Sequence, residues 1–290
     1  MSWRTVVISQ NAKLDYQIGY LVVRGQDTHK IHLNEIRTLI VESTAVSMTS
    51  YLLCELMKHK VKVIFCDEKR NPSSELLPYY GCHDTSQKIR HQMEWSRDDK
   101  ANIWTEIVSE KINKQSQLLE KLCRKEAFLL KDYLLEIEFG DATNREGHAA
   151  KVYFNALFGK SFTRNEDCPL NAALNYGYSL LLSTFNREIV ANGYITQIGL
   201  FHDNQFNQFN LASDLMEPFR PIIDEYVYRL KPEKFEKEEK HNLLKIFEKE
   251  VYMDYKKEIL VNAIKIYTKS VFDALNEENR FLIKIYQNEL

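Results

Sequence analysis

The hydrophobic period of this chain changes along its length, and that change limits what it can fold into more than any other feature. Up to residue 47 the apolar residues alternate or form short β-branched runs, in "WRTVVIS", "KLDYQIGYLVVRG", "HKIHL" and "RTLIVES", broken by Asn11, Gly25, Gln26 and Asp27. A period of two predicts strands. "MTSYLLCELMKHK" then takes helical spacing through Leu52, Leu53, Leu56 and Met57, and "VKVIFCD" reads as a buried strand. The expectation over residues 1–70 is a mainly antiparallel β-domain with one packed helix. "EKRNPSSELLPYYG" gathers two prolines, two serines and a glycine, which sets a linker over 71–84. From 85 to 290 nearly every segment has a charged face opposite an apolar one, as in "SQKIRHQMEWSRDDKANIWTEIVSEKINKQSQLLEKL" and "EILVNAIKIYTKSVFDAL". That pattern predicts a larger, all-α domain, and the class is α+β.

Length and composition leave the class open but exclude several alternatives. At 290 residues the chain suits two domains of roughly 100–200 residues each, with a sizeable core. Its 39 basic and 41 acidic residues give a net charge of -2, so any nucleic-acid site must be a local patch. The five cysteines (Cys54, Cys66, Cys82, Cys123, Cys168) show no CxxC spacing, and "MSWRTVVISQ" has no signal-peptide pattern. A cytoplasmic protein with free, mostly buried thiols is expected. No apolar run approaches the roughly 18 residues of a membrane span. Zinc-protease HExxH, GxSxG, Walker and GxGxxG patterns are absent, and Cys82, His83 and His91 lack the second close pair of a zinc site.

Two stretches carry candidate chemistry. In "DATNREGHAAKVYFNALFG" a helix is expected from about Thr143 to Phe158, with Ala149, Val152, Tyr153 and Ala156 on its apolar stripe. Glu146 lies beside that stripe, but Thr143-x-x-Glu146 also fits a capping box, in which the glutamate only satisfies the helix start. Arg145, Lys151, Lys160 and Arg164 offer charges that suit phosphates or plain solvent. In "GLFHDNQFNQFNLASDLMEPFRPIID" His202, Asp214 and Glu217 sit among residues that belong in a core. Capping by Ser213 or Asp214 of a helix from Leu215 accounts for part of this, with Pro218 and Pro221 near its start. Asp214 and Glu217 are three apart and would share a helix face. Two carboxylates about 5 Å apart repel by about 3 kcal/mol at an effective dielectric of about 20. A divalent cation answers that repulsion and accepts His202 as a nitrogen ligand, while Arg220 supplies an ordinary ion pair. Mixed oxygen and nitrogen ligation suits Mn²⁺ or Mg²⁺.

The segments "RTLIVES", "VIFCDEKRNPSSELLPYYG", "REGHAAKVYFNALFG", "LNYGYSLLLS" and "ASDLMEPFRPIID", taken in order, resemble the CRISPR-associated spacer-acquisition integrase, CRISPR-associated protein one, in its type II, II-A-like form. The resemblance spans essentially the whole chain. It implies an N-terminal β-domain, a C-terminal helical catalytic domain, and a homodimer that joins a dimer of CRISPR-associated protein two in a heterohexamer. Its implied DNA partners are double-stranded spacer precursor and the leader-repeat, with other type II CRISPR proteins as further partners. The family's metal-binding and catalytic residues fall on Glu146 in "REGHAA", His202 in "GLFHDN" and Glu217 in "DLMEPF", with Asp214, Arg145 and Arg220 as possible supports. Many relatives carry aspartate where this chain has Glu217. The "HDNQFNQFN" segment also departs from the loop of other subtypes.

The activity implied by this resemblance is Mg²⁺- or Mn²⁺-dependent endonuclease and integrase chemistry in CRISPR adaptation, an antiviral defence. The 3′-hydroxyl ends of captured spacer DNA would be joined to the repeat by transesterification. Two other readings stay open on sequence alone. One is a catalytically silent scaffold that binds DNA or partners, with Glu146 and Glu217 as capping residues. The other is a structure-selective repair nuclease.

Overall fold

The computed structural model describes residues 4–78 and 82–287. The chain divides into two compact units, Met1–Tyr80 and Gly81–Leu290. Among the described residues, no helix is long and apolar enough to cross a membrane.

In chain order the first unit contains β1 (Arg4–Ile8), β2 (Ala12–Gln17), β3 (Tyr20–Arg24), β4 (Thr28–His32), β5 (Ile36–Val41), β6 (Val46–Met48), α1 (Ser50–Lys58), β7 (Lys62–Cys66) and β8 (Pro72–Leu76). They form two four-stranded sheets, ordered β1-β5-β7-β8 and β4-β3-β2-β6. Thr49 caps α1 by accepting from Leu52 N at 3.2 Å, and the helix packs against β2 and β7. Leu14, Leu21, Leu39, Leu52, Leu56 and Val63 are fully buried in one cluster, each contributing roughly 1.5–3 kcal/mol relative to exposure.

The α+β class holds, but strand direction differs from expectation. Three pairings are parallel, β1 with β5, β5 with β7 and β2 with β6, and three are antiparallel. Alternation states which face is buried and is silent on direction. The connection from β1 to β5 passes through β2, β3 and β4, long enough to return the chain in parallel. The linker expected over 71–84 is also corrected in part. Pro72–Leu76 form a strand antiparallel to β7, and Glu75 forms an ion pair with buried Lys62. The polar sequence of β8 hid it, yet it covers an apolar strand that would otherwise be an open edge. Residues 79–81 of that stretch lie outside the described residues.

The second unit contains α2 (Thr85–Glu94), α3 (Arg97–Lys121), α4 (Glu126–Leu135), α5 (Arg145–Phe158), α6 (Pro169–Ala191), α7 (Asn210–Leu215), α8 (Arg220–Leu230), α9 (Lys237–Leu244), β9 (Glu250–Met253), β10 (Lys256–Ile259) and α10 (Leu260–Asn276). It is not all-α, because β9 and β10 pair as an antiparallel hairpin. Asp254 and Tyr255 between them both have positive φ, 54° and 64°, as a two-residue hairpin turn demands. Without glycine, that turn gives no obvious sequence signal.

The 25-residue helix α3 is the spine, packed against α4, α5, α7, α8 and α10. Its buried stripe runs through Trp104, Ile107, Lys111, Gln115 and Leu118, a spacing of three or four. Gln92 of α2 is fully buried. It donates to Ile195 O at 2.9 Å and Ile198 O at 3.1 Å, and accepts from Ile195 N at 3.0 Å. A single side chain thereby satisfies the backbone of the loop that leads to His202. The expected burial of the thiols is corrected: Cys66 is buried, Cys54 and Cys123 are exposed, and Cys82 and Cys168 are intermediate.

Helices α6 and α8 meet at Gly177, where an added Cβ would collide with Ile223 Cγ2. The methyl of a branched residue in a packed core cannot retreat cheaply. Gly177→Ala is expected to lower the unfolding free energy by about 1–3 kcal/mol, read by chemical denaturation. An unchanged midpoint would show that the two helices separate freely.

Candidate active site

The start of α5 is built without the capping box expected from Thr143 and Glu146. Asn144, in the left-handed conformation (φ 54°), is the cap, and its Oδ1 accepts from Gly147 N at 3.3 Å. Buried Asp141, also at φ 54°, accepts from Arg145 N at 2.7 Å and Glu146 N at 3.0 Å. The orphan donors of the first turn are thus satisfied from upstream, and the Glu146 carboxylate is released from capping. The helix buries Ala149, Tyr153 and Leu157, a strict four-residue repeat that differs from the expected stripe at Val152 and Ala156.

Glu146 instead meets Lys111 of α3, whose Nζ contacts both Glu146 Oε1 and Glu217 Oε2. The Lys111 side chain is 8% exposed, Glu217 6% and Glu146 28%. Glu217 Oε1 accepts from Arg220 Nε at 2.9 Å. Burial opposes the Lys111 charge, but Glu217 and Glu146 outweigh it and hold its pKa above the ordinary lysine value. Burial likewise opposes ionisation of Glu217, and Arg220 and Lys111 reverse that, so its pKa lies below the usual glutamate value. Lys111 and Glu217 each keep their charge in a buried place because that charge is paired.

Asp214 serves a different purpose. It is fully buried and accepts from the backbone nitrogens of Leu200 at 2.6 Å, Phe201 at 3.1 Å and His202 at 3.1 Å. Its Oδ1 also lies 2.5 Å from His202 Nδ1. That bond raises the pKa of His202 despite the opposing effect of partial burial, and it leaves Nε2 as the ring nitrogen available to a ligand. The loop comes this close because Gly199 has no side chain: a Cβ there would lie 2.7 Å from Asp214 Oδ2. Trp104 stacks on Phe201 with centroids 4.6 Å apart and planes 3° apart, and presents its edge to His202 at 5.9 Å. The His202 side chain is 40% exposed.

The shared helix face for Asp214 and Glu217 is corrected as well. α7 ends at Leu215, and Glu217 opens a 3₁₀ turn, since Pro218 and Pro221 prevent a continuous helix. Capping at Leu215 does not occur; Ser213 Oγ donates back to Phe209 O at 2.9 Å. Arg145 points to α4, where it pairs with Glu136 at 3.0 Å and lies over the Tyr133 ring at 5.5 Å. Lys151 and Lys160 are exposed.

Glu146 and Glu217 thus converge on one cation, and His202 faces the same electrostatic neighbourhood through its coupling with Glu217. Among the described residues, one group of three candidate metal-ligand atoms closes to within 4.8 Å, and it is Cys82, His83 and Asp84. Lys88 Nζ already engages that group, at 3.2 Å from Asp84 and 3.5 Å from Cys82 Sγ. His91 is not part of it.

Several site residues escaped the sequence reading. Lys111 carried a signal, a lysine on the apolar stripe of "WTEIVSEKINKQ". Tyr178 and Asp224 carried none. Arg220 lies 4.6 Å and Arg164 5.3 Å over the Tyr178 ring, while Tyr178 and Tyr153 both donate to Asp224, the latter at 3.0 Å.

A family model described as "CRISPR associated protein Cas1" matches residues 5–256. The chain is 35% identical over 232 residues, 79% of its length and 76% of the relative's, to "CRISPR-associated endonuclease Cas1" of Neisseria meningitidis serogroup C. The chain belongs to the CRISPR associated protein Cas1 family, and the relatives from Neisseria meningitidis and Pyrobaculum aerophilum carry the name endonuclease. Its fold is similar to a solved structure described as "Casposase bound to integration product", with TM-score 0.80 and 18% identity over 96% of this chain and 92% of that one. It is also similar to the "Cas6-RT-Cas1--Cas2 complex", with TM-score 0.75 and 19% identity over 99% of this chain and 36% of that much longer one.

Burial raises the pKa of Asp224 from 3.8 to about 6, against the lowering effect of Tyr178 and Tyr153. An acid with a raised native pKa contributes stability below its unfolded value that is lost as pH rises through the native one. The difference between 3.8 and about 6 corresponds to on the order of 3 kcal/mol. Relative to Asp224→Asn, the wild type is expected to lose unfolding free energy of that order between pH 4 and 7. A pH-independent difference would show that Asp224 stays ionised.

Proposed function

We propose that this protein is a metal-dependent DNA integrase and endonuclease of CRISPR adaptation, in its type II form. It would join the 3′-hydroxyl ends of captured spacer DNA to the CRISPR repeat by transesterification. The observation that carries this reading is the convergence of Glu146 and Glu217 on a single cation, beside an imidazole oriented by a buried carboxylate.

The donor set suits a divalent ion. Two carboxylates supply hard oxygens, and His202 has its Nδ1 engaged by Asp214, the usual support of a metal-binding histidine. The place between the carboxylates already holds a positive charge, the Lys111 ammonium. Glu146, His202 and Glu217 would hold Mg²⁺ or Mn²⁺, which when bound would polarise a phosphodiester and stabilise charge developing in the transition state. Arg220 keeps Glu217 ionised in its buried position. Asp214 orients His202 and does not itself ligate, since both its oxygens are taken by the 200–202 backbone and the imidazole. No cysteine lies among these contacts, and none is required as a nucleophile.

Joining two ends on opposite strands calls for paired sites, which supports a homodimer. The similarity to the "Cas6-RT-Cas1--Cas2 complex" supports CRISPR-associated protein two as a partner, and that to the "Casposase bound to integration product" supports integration chemistry; the bridged heterohexamer and the duplex DNA substrate rest on the ordered sequence segments. The proposed setting is the cytoplasm. The type II form rests on the ordered sequence segments. The silent-scaffold reading loses its footing, because Glu146 and Glu217 cap nothing.

The test is strand transfer of a short donor with free 3′-hydroxyls into a leader-repeat duplex, with the small partner and Mn²⁺ or Mg²⁺. Glu146→Gln, Glu217→Gln and His202→Ala are each expected to reduce joining on the order of 10²-fold or more, and chelator to abolish it. Joining that survives all three substitutions would sink the site assignment. Nicking of branched DNA without joining would favour a repair nuclease.

A further inference from the structure

Lys111 has a place in this site that the proposed chemistry does not use. Its ammonium sits on the buried stripe of α3 and touches one oxygen of each glutamate. The other contact to Glu217 comes from Arg220. Two carboxylates are therefore matched by two cations before any metal is present. Glu217 Oε2 is buried and makes no hydrogen bond of ordinary geometry, so among the described residues its one partner is the Lys111 charge. A dication added to this arrangement would meet a neutralised pair, Glu217 buried and Glu146 partly so, and a repelling ammonium at close quarters. Something positive has to leave.

We propose that Lys111 is the resident cation of the carboxylate pair, and that a divalent ion enters by exchange with its ammonium and not by filling a vacancy. This rests on the reading of Glu146 and Glu217 as metal ligands. Lys111 is the group that leaves because it is a point charge on a flexible four-carbon stem. Arg220 is fixed by its bond to Glu217 and its seat over the Tyr178 ring. Exchange keeps the metal-free site ordered and makes metal affinity a difference between two cations. It also frees an ammonium next to the bound ion, where a phosphodiester oxygen is the natural counter-charge.

Calorimetric titration of the full chain with Mn²⁺ tests the exchange. Lys111→Met is expected to bind Mn²⁺ at least ten-fold more tightly than wild type, to melt at a lower temperature without metal, and to gain more from added Mn²⁺. Equal or weaker binding in this variant overturns the proposal. Should Lys111→Met fail to fold, amine acetylation of the wild type read by peptide mass spectrometry replaces it. Lys111 labelling is expected to rise several-fold on addition of Mn²⁺, with surface Lys151 as the reference, and unchanged or reduced labelling overturns the proposal. Glu217→Gln separates the two levels of inference. If wild type binds Mn²⁺ and Glu217→Gln does not, an unchanged Lys111→Met affinity removes only the exchange. If neither wild type nor Lys111→Met binds Mn²⁺, the metal reading falls with it.

Discussion

One ionic contact organises the candidate site: the ammonium of Lys111 shared between Glu146 and Glu217. It ties α3 to the start of α5 and to the 3₁₀ turn before α8, three segments far apart in sequence. A lone charge at Lys111 or Glu217 would be strongly disfavoured by burial. Each is tolerated because the others are present, so the segments must arrive together for any of them to be stable.

The chain fixes the two halves of the site by different means. On the α5 side, strained backbone does the positioning, with Gly140, Asp141 and Asn144 all at positive φ within five residues. Asp141 then grips the first two amides of the helix, so the direction of Glu146 is set before its side chain meets a partner. On the histidine side, a buried carboxylate gathers three successive amides and the imidazole around itself. Gln92 secures the same loop further upstream, and Trp104 packs beneath it. Each half is anchored by a buried carboxylate, Asp141 or Asp214, which is what a site with preorganised geometry requires.

The features legible in the sequence are those that depend on local pattern. The switch from period two to helical period separated the β-rich unit from the helical one, and His202, Asp214 and Glu217 stood out because they interrupted apolar runs, while Glu146 took its role from the family resemblance. What escaped depends on through-space encounter. Parallel pairing of β1, β5 and β7 leaves no mark on alternation. The polar strand β8 exists because β7 needs a neighbour. Asp214 and Glu217 looked like one site because they are three apart, yet two prolines end the helix between them and send the carboxylates to different partners. Thr143-x-x-Glu146 had the letters of a capping box, but Asp141 and Asn144 supply the bonds, and Thr143 Oγ1 is left buried without a partner. Lys111 could have been found by asking why a lysine occupies an apolar stripe.

The energetics of the cluster bear on why it exists. A buried ion pair is poor evidence of stabilisation, because the desolvation of both groups offsets most of their attraction, and well-packed apolar residues in the same space are commonly more stable by 1–4 kcal/mol. A helical unit with an ample apolar spine on α3 has no structural need for charge at Lys111, Glu146, Glu217 and Arg220. Nor does the whole chain's net charge of -2 suggest a general excess of charge that spilled inward. The buried group Asp224 makes the same point: a carboxyl with a pKa pushed up to about 6 weakens the native state at neutral pH, yet it fixes Tyr178, on which Arg220 rests. Charges that cost stability and are nonetheless arranged in successive supporting layers, from Asp224 to Tyr178 to Arg220 to Glu217, fit the proposed active site better than a purely structural role.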